Sequence, residues 1–229
     1  MVTYRFPGPT CATTAEPIDS GTLALFRTAS AGPVCLASAS AGACSPPPTE
    51  RHWYALSVEG GFKPDQLTMS PDGLALLKGV EQRRLKPYDD QTGDETDTWV
   101  KGATIGFGHL ILSAEWSTYQ AGISEAEADT LFEADLEPYQ TAVRTAVTTG
   151  LQQYEYDALV ILAFNIGAPH FKSSSVVRLL NDPKTRNDEV AIKAAWMAWN
   201  KSQGKVMKGL VNRRTCEWNI FTSARYVRW

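Results

Sequence analysis

No stretch of this sequence holds eighteen consecutive apolar residues, so no membrane-spanning helix is expected. The first residues lack a positively charged segment leading into a continuous apolar one, and no signal peptide is expected. Cysteine is sparse: Cys11, Cys35, Cys44 and Cys216 form no Cys-X-X-Cys pair, which argues against a zinc site. A disulfide among the first three would suit an oxidising periplasm, and its pairing stays open. Internal repeats and metal-ligand clusters are absent. Gly106-Phe107-Gly108 is too short for a phosphate-binding loop, and no Lys-Ser/Thr pair follows it. No cofactor and no metal are therefore expected. A formal net charge of −3 offers little bulk attraction for nucleic acid.

What is present is enough to fold. The chain has 229 residues, 43% of them hydrophobic, sufficient for one large domain or a domain with an appendage. Charge is unevenly placed. Asp89, Asp90, Asp94, Glu95 and Asp97 precede Thr104, while Lys201, Lys205, Lys208, Arg213, Arg214, Arg225 and Arg228 crowd the other end. Such runs read either as a solvated face or as a basic lobe facing an anionic wall polymer. Residues 1–50 are rich in Ala, Ser, Thr, Pro and Gly and end in Ser45-Pro-Pro-Pro48. They read as a linker-like extension or a small, loop-rich module, with β-like pieces at 2–6, 23–28 and 34–37. Residues 51–69 read as a bridge, and 70–229 as the main domain.

Local signals set out the main domain. Ser70-Pro71-Asp72 predicts a helix start, with a hydroxyl cap, proline in the first turn and an acid beside it. Leu74, Leu77 and Val80 supply its apolar face, and Glu81 ends it. Tyr88 and Thr104-Ile105 read as short strands. Ser124 and Glu127 form a capping box opening a long helix through Tyr139. Residues 153–167 are apolar almost all round, which predicts a central buried helix stopped by Gly167 and Pro169. Further helices are expected over 175–181, 188–200 and from Leu210 onward, with a basic turn at 204–209.

The chemistry concentrates in residues 81–109. Glu81 and Asp90 stand nine residues apart around Pro87, and Thr104-Ile-Gly-Phe-Gly-His109 follows. A carboxyl at a helix end and a second at a strand edge are what glycoside hydrolysis requires. One protonates the leaving oxygen, and the other steers water onto the sugar carbon. Partial negative charge on the last helical carbonyls favours a proton on Glu81. Asp89 is the rival base.

This spacing resembles the T-even phage lysozyme family of muramidases, glycoside hydrolase family twenty-four, with matches over most of residues 70–222. Two departures stand out: Gln82 where many members have glycine, and a longer loop between Gly93 and Thr104. The resemblance implies a mainly α (α+β), bilobal lysozyme-like fold, with a small β-hairpin lobe and a larger helical lobe joined by a long helix. The implied reaction is inverting hydrolysis of the β-1,4 bond between N-acetylmuramic acid and N-acetylglucosamine in peptidoglycan. Glu81 would be the acid, with Asp90 and Thr104 placing the water. Leu110, Phe164 and Ser174 would contact substrate, though one of Ser173–Ser175 should also cap a helix. Asn165 would support Glu81, with Trp199 behind it, Arg213 would reach back to Glu81, and His109 would pair with Asp135. The protein would work as a monomer, reaching the wall by a holin or a secretion apparatus, the latter with an immunity protein as partner. The alternatives are a lytic transglycosylase and a non-catalytic peptidoglycan-binding module.

Overall fold

The computed structural model describes residues 60–229. Expectations that fall on residues 1–59, including the N-terminal module, its β-like pieces and any pairing of Cys11, Cys35 and Cys44, lie outside the described residues. The chain divides into two units, Met1–Glu59 and Gly60–Trp229, and every described residue belongs to the second.

Residues 60–69, read from sequence as the end of a bridge, are part of this unit. Phe62 bridges Leu151, Leu67 is buried, and Arg144 Nε donates to the Leu67 carbonyl at 3.0 Å. Helix α1 (Pro71–Val80) then starts on the Ser70 cap, whose Oγ accepts from Gly73 N at 3.1 Å. Its buried side is Gly73, Leu76 and Leu77, while Leu74 and Val80 are only partly covered. The helix is turned from the predicted face because Gly73 lets Asp157 come close. A Cβ there would lie 3.0 Å from Asp157 Cγ.

Asp157 is fully buried and holds the start of α1. It accepts from Ser70 N (2.9 Å), Ser70 Oγ, Gln153 Nε2 (2.9 Å) and Tyr226 OH (2.6 Å). A buried carboxyl with four donors is satisfied; one without them would be costly.

The small lobe is a three-stranded antiparallel sheet in the order β1 (Arg84–Asp89), β2 (Ala103–Gly106), β3 (His109–Leu110). Ala103, Ile105 and Ile111 form its core. Gly106 has φ +67°, and a Cβ there would meet Ile123 and Leu131 only at ordinary distances, so backbone conformation is what requires glycine. After a short α2 (Trp116–Tyr119) comes α3 (Glu125–Ala146), 22 residues opened by the Ser124–Glu127 capping box. Ala128, Phe132, Leu136, Ala142 and Val143 recur at helical spacing and are buried. Helix α3 packs on the sheet near its start and on the large lobe further along, so it joins the two.

In the large lobe, α4 (Gln153–Ile166) is the central element: every residue from Tyr156 to Ala163 is buried. It stops at Gly167, φ +88°. Around it lie α5 (Ala168–Lys172), α6 (Ser175–Asn181), α7 (Glu189–Met197) and α8 (Lys208–Ser223). Helix α7 is shorter than predicted, because the chain after Met197 turns into a hairpin, β4 (Lys201–Ser202) and β5 (Lys205–Val206). The hairpin turn has Gln203 at φ 48° and Gly204 at φ +77°, the paired positive angles that two-residue hairpins favour. Lys208 and Gly209, read as turn, already belong to α8. No helix of the described residues is long and apolar enough to cross a membrane.

Candidate active site

Glu81 is the C-cap of α1. Its N–H still closes the last turn onto Leu77 O at 3.1 Å, while its own backbone is extended (φ −84°, ψ 138°) and aims the side chain off the helix. The carboxyl is half-buried, and Arg213 Nη1 stands 3.7 Å from Oε1. Burial raises the carboxyl above the ordinary glutamate range, and the Arg213 cation opposes that. The net direction is upward, so burial outweighs the cation, a balance the sequence leaves open.

Cross-strand pairing assembles the facing side. Tyr88 stands opposite Thr104, and Thr104 opposite Leu110, so three side chains share one face of the sheet. Asp89, opposite Ala103, faces the other way, and Asp90 follows in the turn just after the strand. Asp89 Oδ1 is taken up within its own turn, accepting from Gln91 N at 2.8 Å. Asp90 is exposed, and its carboxylate has no ion-pair partner among the described residues. The Tyr88 phenol reports on both acids. It is pushed up by burial first, then by Asp90, with Glu81 adding to the push and Arg84 opposing. Arg84 lies over the Tyr88 ring at 4.4 Å. Gly102 ties the loop to the sheet: its carbonyl accepts from Asp90 N (3.1 Å) and Thr104 Oγ1 (2.9 Å). Thr104 is buried at 4% exposure, and its hydroxyl proton is committed to Gly102.

Behind Arg213 lies a group that the sequence did not announce. Glu217 is wholly buried; its Oε1 accepts from Arg213 Nε (3.2 Å) and Arg214 Nη2 (2.6 Å), and its Oε2 from Trp196 Nε1 (2.9 Å). Burial pushes the carboxyl up, and both guanidiniums pull it back. Every oxygen already faces donors, so the carboxylate is the form that satisfies them. Arg214 also reaches Asn165 Oδ1 at 2.9 Å and the Trp199 carbonyl at 3.3 Å. Asn165 and Trp199 are thus joined through Arg214, and the Trp199 link is made by its backbone. The only sequence signal for Glu217 is its i, i+3 and i, i+4 spacing from two arginines on one helix.

A cleft of about 480 Å³ opens between the lobes, walled by Leu110 and Leu112 on the sheet side and by Asp135, Tyr139 and Phe164 on the helical side. Phe164 is braced edge-on by Tyr139 at 5.2 Å. Glu81, Asp90 and Thr104 do not line this cleft. It begins at Leu110, one strand spacing of about 5 Å from Thr104. His109 Nδ1 lies 3.0 Å from both Asp135 oxygens, and Tyr119 stands edge-on to the imidazole at 5.4 Å. Ser174 is the N-cap of α6 and buried at 5% exposure, with Oγ accepting from Val177 N at 3.2 Å. Ser174 is thus the one of Ser173–Ser175 that caps this helix, as expected of one of the three. No group of three metal-ligating side chains occurs among the described residues.

A family model described as phage lysozyme matches residues 78–217. The chain belongs to the phage lysozyme family. Among its relatives in that family, the endolysin of Bacillus phage PZA is 35% identical over 158 residues, covering 69% of this chain and 56% of that protein. The endolysin of Salmonella phage P22 is 33% identical over 159 residues, covering 69% of this chain and 99% of that protein. The chain thus spans about half the length of some relatives, such as those of Bacillus phages PZA and B103, at 56% and 54%. Among solved phage lysozymes, a mutant of P22 lysozyme superposes with TM-score 0.53 at 31% identity, over 69% of this chain and 99% of that one. The muramidase domain of SpmX from Asticaccaulis excentricus gives TM-score 0.54 at 29% identity, over 68% of this chain and 98% of that one.

Proposed function

We propose that this phage lysozyme family member is a peptidoglycan muramidase, hydrolysing the β-1,4 bond between N-acetylmuramic acid and N-acetylglucosamine with inversion. The observation that carries the reading is the asymmetry of the two carboxyls. Glu81 is half-buried and raised, suited to hold a proton for the leaving oxygen. Asp90 is exposed and, among the described residues, free of any ion pair, suited to accept from and orient a water. Both act on one phenol, Tyr88. Asp89 is less suited, being occupied in its own turn. Thr104 Oγ1 donates to Gly102, which leaves its lone pairs to accept from the same water. Leu110 and Phe164 wall the cleft that receives the glycan, and Asn165 and Trp199 brace Arg214 beside Arg213. The endolysin and muramidase names of the relatives support this substrate class.

The target polymer lies in the bacterial wall, so the protein acts there as an endolysin or as an exported antibacterial effector, the latter with an immunity protein in the producing cell. Turbidity loss of permeabilised bacteria, compared for wild type and Glu81→Gln, tests the reading. Glu81→Gln should lose about 10²–10⁴-fold in rate. Lysis at wild-type rate by that variant refutes it. Mass spectrometry of the released muropeptides separates the runner-up: reducing ends indicate hydrolysis, and anhydro ends a lytic transglycosylase.

A further inference from the structure

Helix α8 ends at Ala224 in a left-handed turn (φ 53°, ψ 30°). The amide of Ala224 reaches Ile220 O at 2.9 Å, and that of Arg225 reaches Asn219 O at 3.4 Å. The reversal brings residues 225–229 against α1 and its partners by three side chains. Tyr226 OH donates to Asp157, the carboxyl that holds the start of α1. The Arg228 guanidinium fills the space beside Gly79, where a Cβ would fall 2.8 Å from its Cζ. Trp229 covers Arg213, with the guanidinium carbon 4.6 Å from the ring centroid.

Arg213 is therefore held from two sides. Its Nε binds Glu217 at 3.2 Å, and its plane lies over the Trp229 ring. What is left for Glu81 is a single 3.7 Å approach by Nη1. Nη2 is buried with no hydrogen-bond partner among the described residues. A guanidinium beside a carboxylate ordinarily closes on it with two parallel N–H bonds. Here it does not, although an unused amine is at hand. The face of tryptophan is the strongest aromatic platform for such a cation, more so when the pair is partly desolvated.

We propose that Trp229 is a positioning residue for the hydrolysis assigned to Glu81: its ring holds Arg213 short of a two-bond pair with the Glu81 carboxyl, leaving that carboxyl free to donate its proton. The inference rests on the muramidase reading and adds a residue outside the span matched by the family model. Arg213 from α8 and Tyr88 from β1 act on Glu81, with Glu217 behind Arg213 and Asp90 acting on the same Tyr88 phenol, while the Arg228 guanidinium lies beside Gly79 of α1. The uncharged Trp229 ring is what sets the reach of Arg213. Without it, Arg213 closes on Glu81 and the site is wetter, and both changes favour the ionised acid.

The test compares wild type, Trp229→Ala, Trp229→Leu and Trp229→Phe in the full chain on purified peptidoglycan, across pH, with thermal unfolding of each. Leucine fills space without a π face, and phenylalanine keeps one. In the alanine and leucine variants the alkaline limb of kcat should move about one pH unit lower, roughly tenfold in rate on that limb. KM should stay within about twofold, because the change acts on proton donation and not on glycan contact. Phenylalanine should restore most of the limb. A folded leucine variant with the wild-type pH profile overturns the proposal. So does a loss that is uniform across pH and not recovered by phenylalanine. Glu81→Gln on the same substrate separates the two failures. If it still lyses, the muramidase reading falls. If it is inactive while Trp229→Leu behaves as wild type, only the role of Trp229 falls.

Discussion

Replacing Glu217 by glutamine tests the electrostatic frame behind the site. The change keeps shape and removes one charge from a position with no solvent exposure. Arg214, also without exposure, loses its 2.6 Å partner, and Arg213, at 8% exposure, loses its 3.2 Å partner. The amide must also turn a donor toward either the guanidiniums or Trp196 Nε1, all of which are donors themselves. Breaking a buried pair in this way costs about 3–5 kcal/mol. For a unit of this size, each kcal/mol lowers Tm by about 2–4 °C, so a fall of about 6–20 °C is expected. Glu137→Gln is the control. Glu137 pairs with Arg144 at a similar 2.7 Å, but its side chain is 53% exposed. Exposed pairs are worth about 0–1 kcal/mol, so Tm should change by no more than about 4 °C. Differential scanning calorimetry of the two variants decides the matter. If Glu217→Gln unfolds no earlier than Glu137→Gln, burial is not what gives the α8 cluster its weight, and the reasoning fails.

Other outcomes rest on the same geometry. Asp90→Asn should cut wall lysis by about 10²-fold or more with little change in Tm, while Asp89→Asn should leave most activity; the reverse ranking would move the base role to Asp89. Because burial raises Glu81, its protonated form is favoured in the folded state. The stability it contributes is present below the ordinary glutamate range and lost as pH rises through the raised value, and kcat should fall over that same interval. Asp157→Ala leaves Ser70, Gln153 and Tyr226 without their shared acceptor and should cost about 3–5 kcal/mol in urea unfolding. Ala224→Gly relieves a left-handed alanine and should raise Tm by a few degrees, on the order of 1 kcal/mol; a lower Tm would contradict the strain.

Local rules made much of this protein legible. The Ser70 cap and Pro71 fixed the start of α1, the Ser124–Glu127 box opened α3, and the unbroken apolar run of α4 announced a buried helix. These signals involve groups within a few residues of one another, so spacing alone carries them. The order Glu81, Asp90, Thr104 likewise carries the proposed chemistry in its residue types and spacing, because acid and base chemistry demands particular groups. All three lie within the span matched by the phage lysozyme family model.

What tertiary structure alone decided depends on groups far apart in the chain. Burial, set by packing, outweighed Arg213 in the direction of the Glu81 shift. Strand pairing put Thr104 beside Tyr88 and turned Asp89 away from the shared face. Gly73 lets α1 lie close to Asp157, 84 positions later in the sequence. Glu217 and Trp229 look ordinary in sequence, as a helix acid and an aromatic. Only when α8 packs on α4 and the last residues fold against α1 does one become a buried counterion and the other a cover for Arg213. Helix ends and chemical types are short-range properties, whereas desolvation and the distance between charges belong to the folded chain.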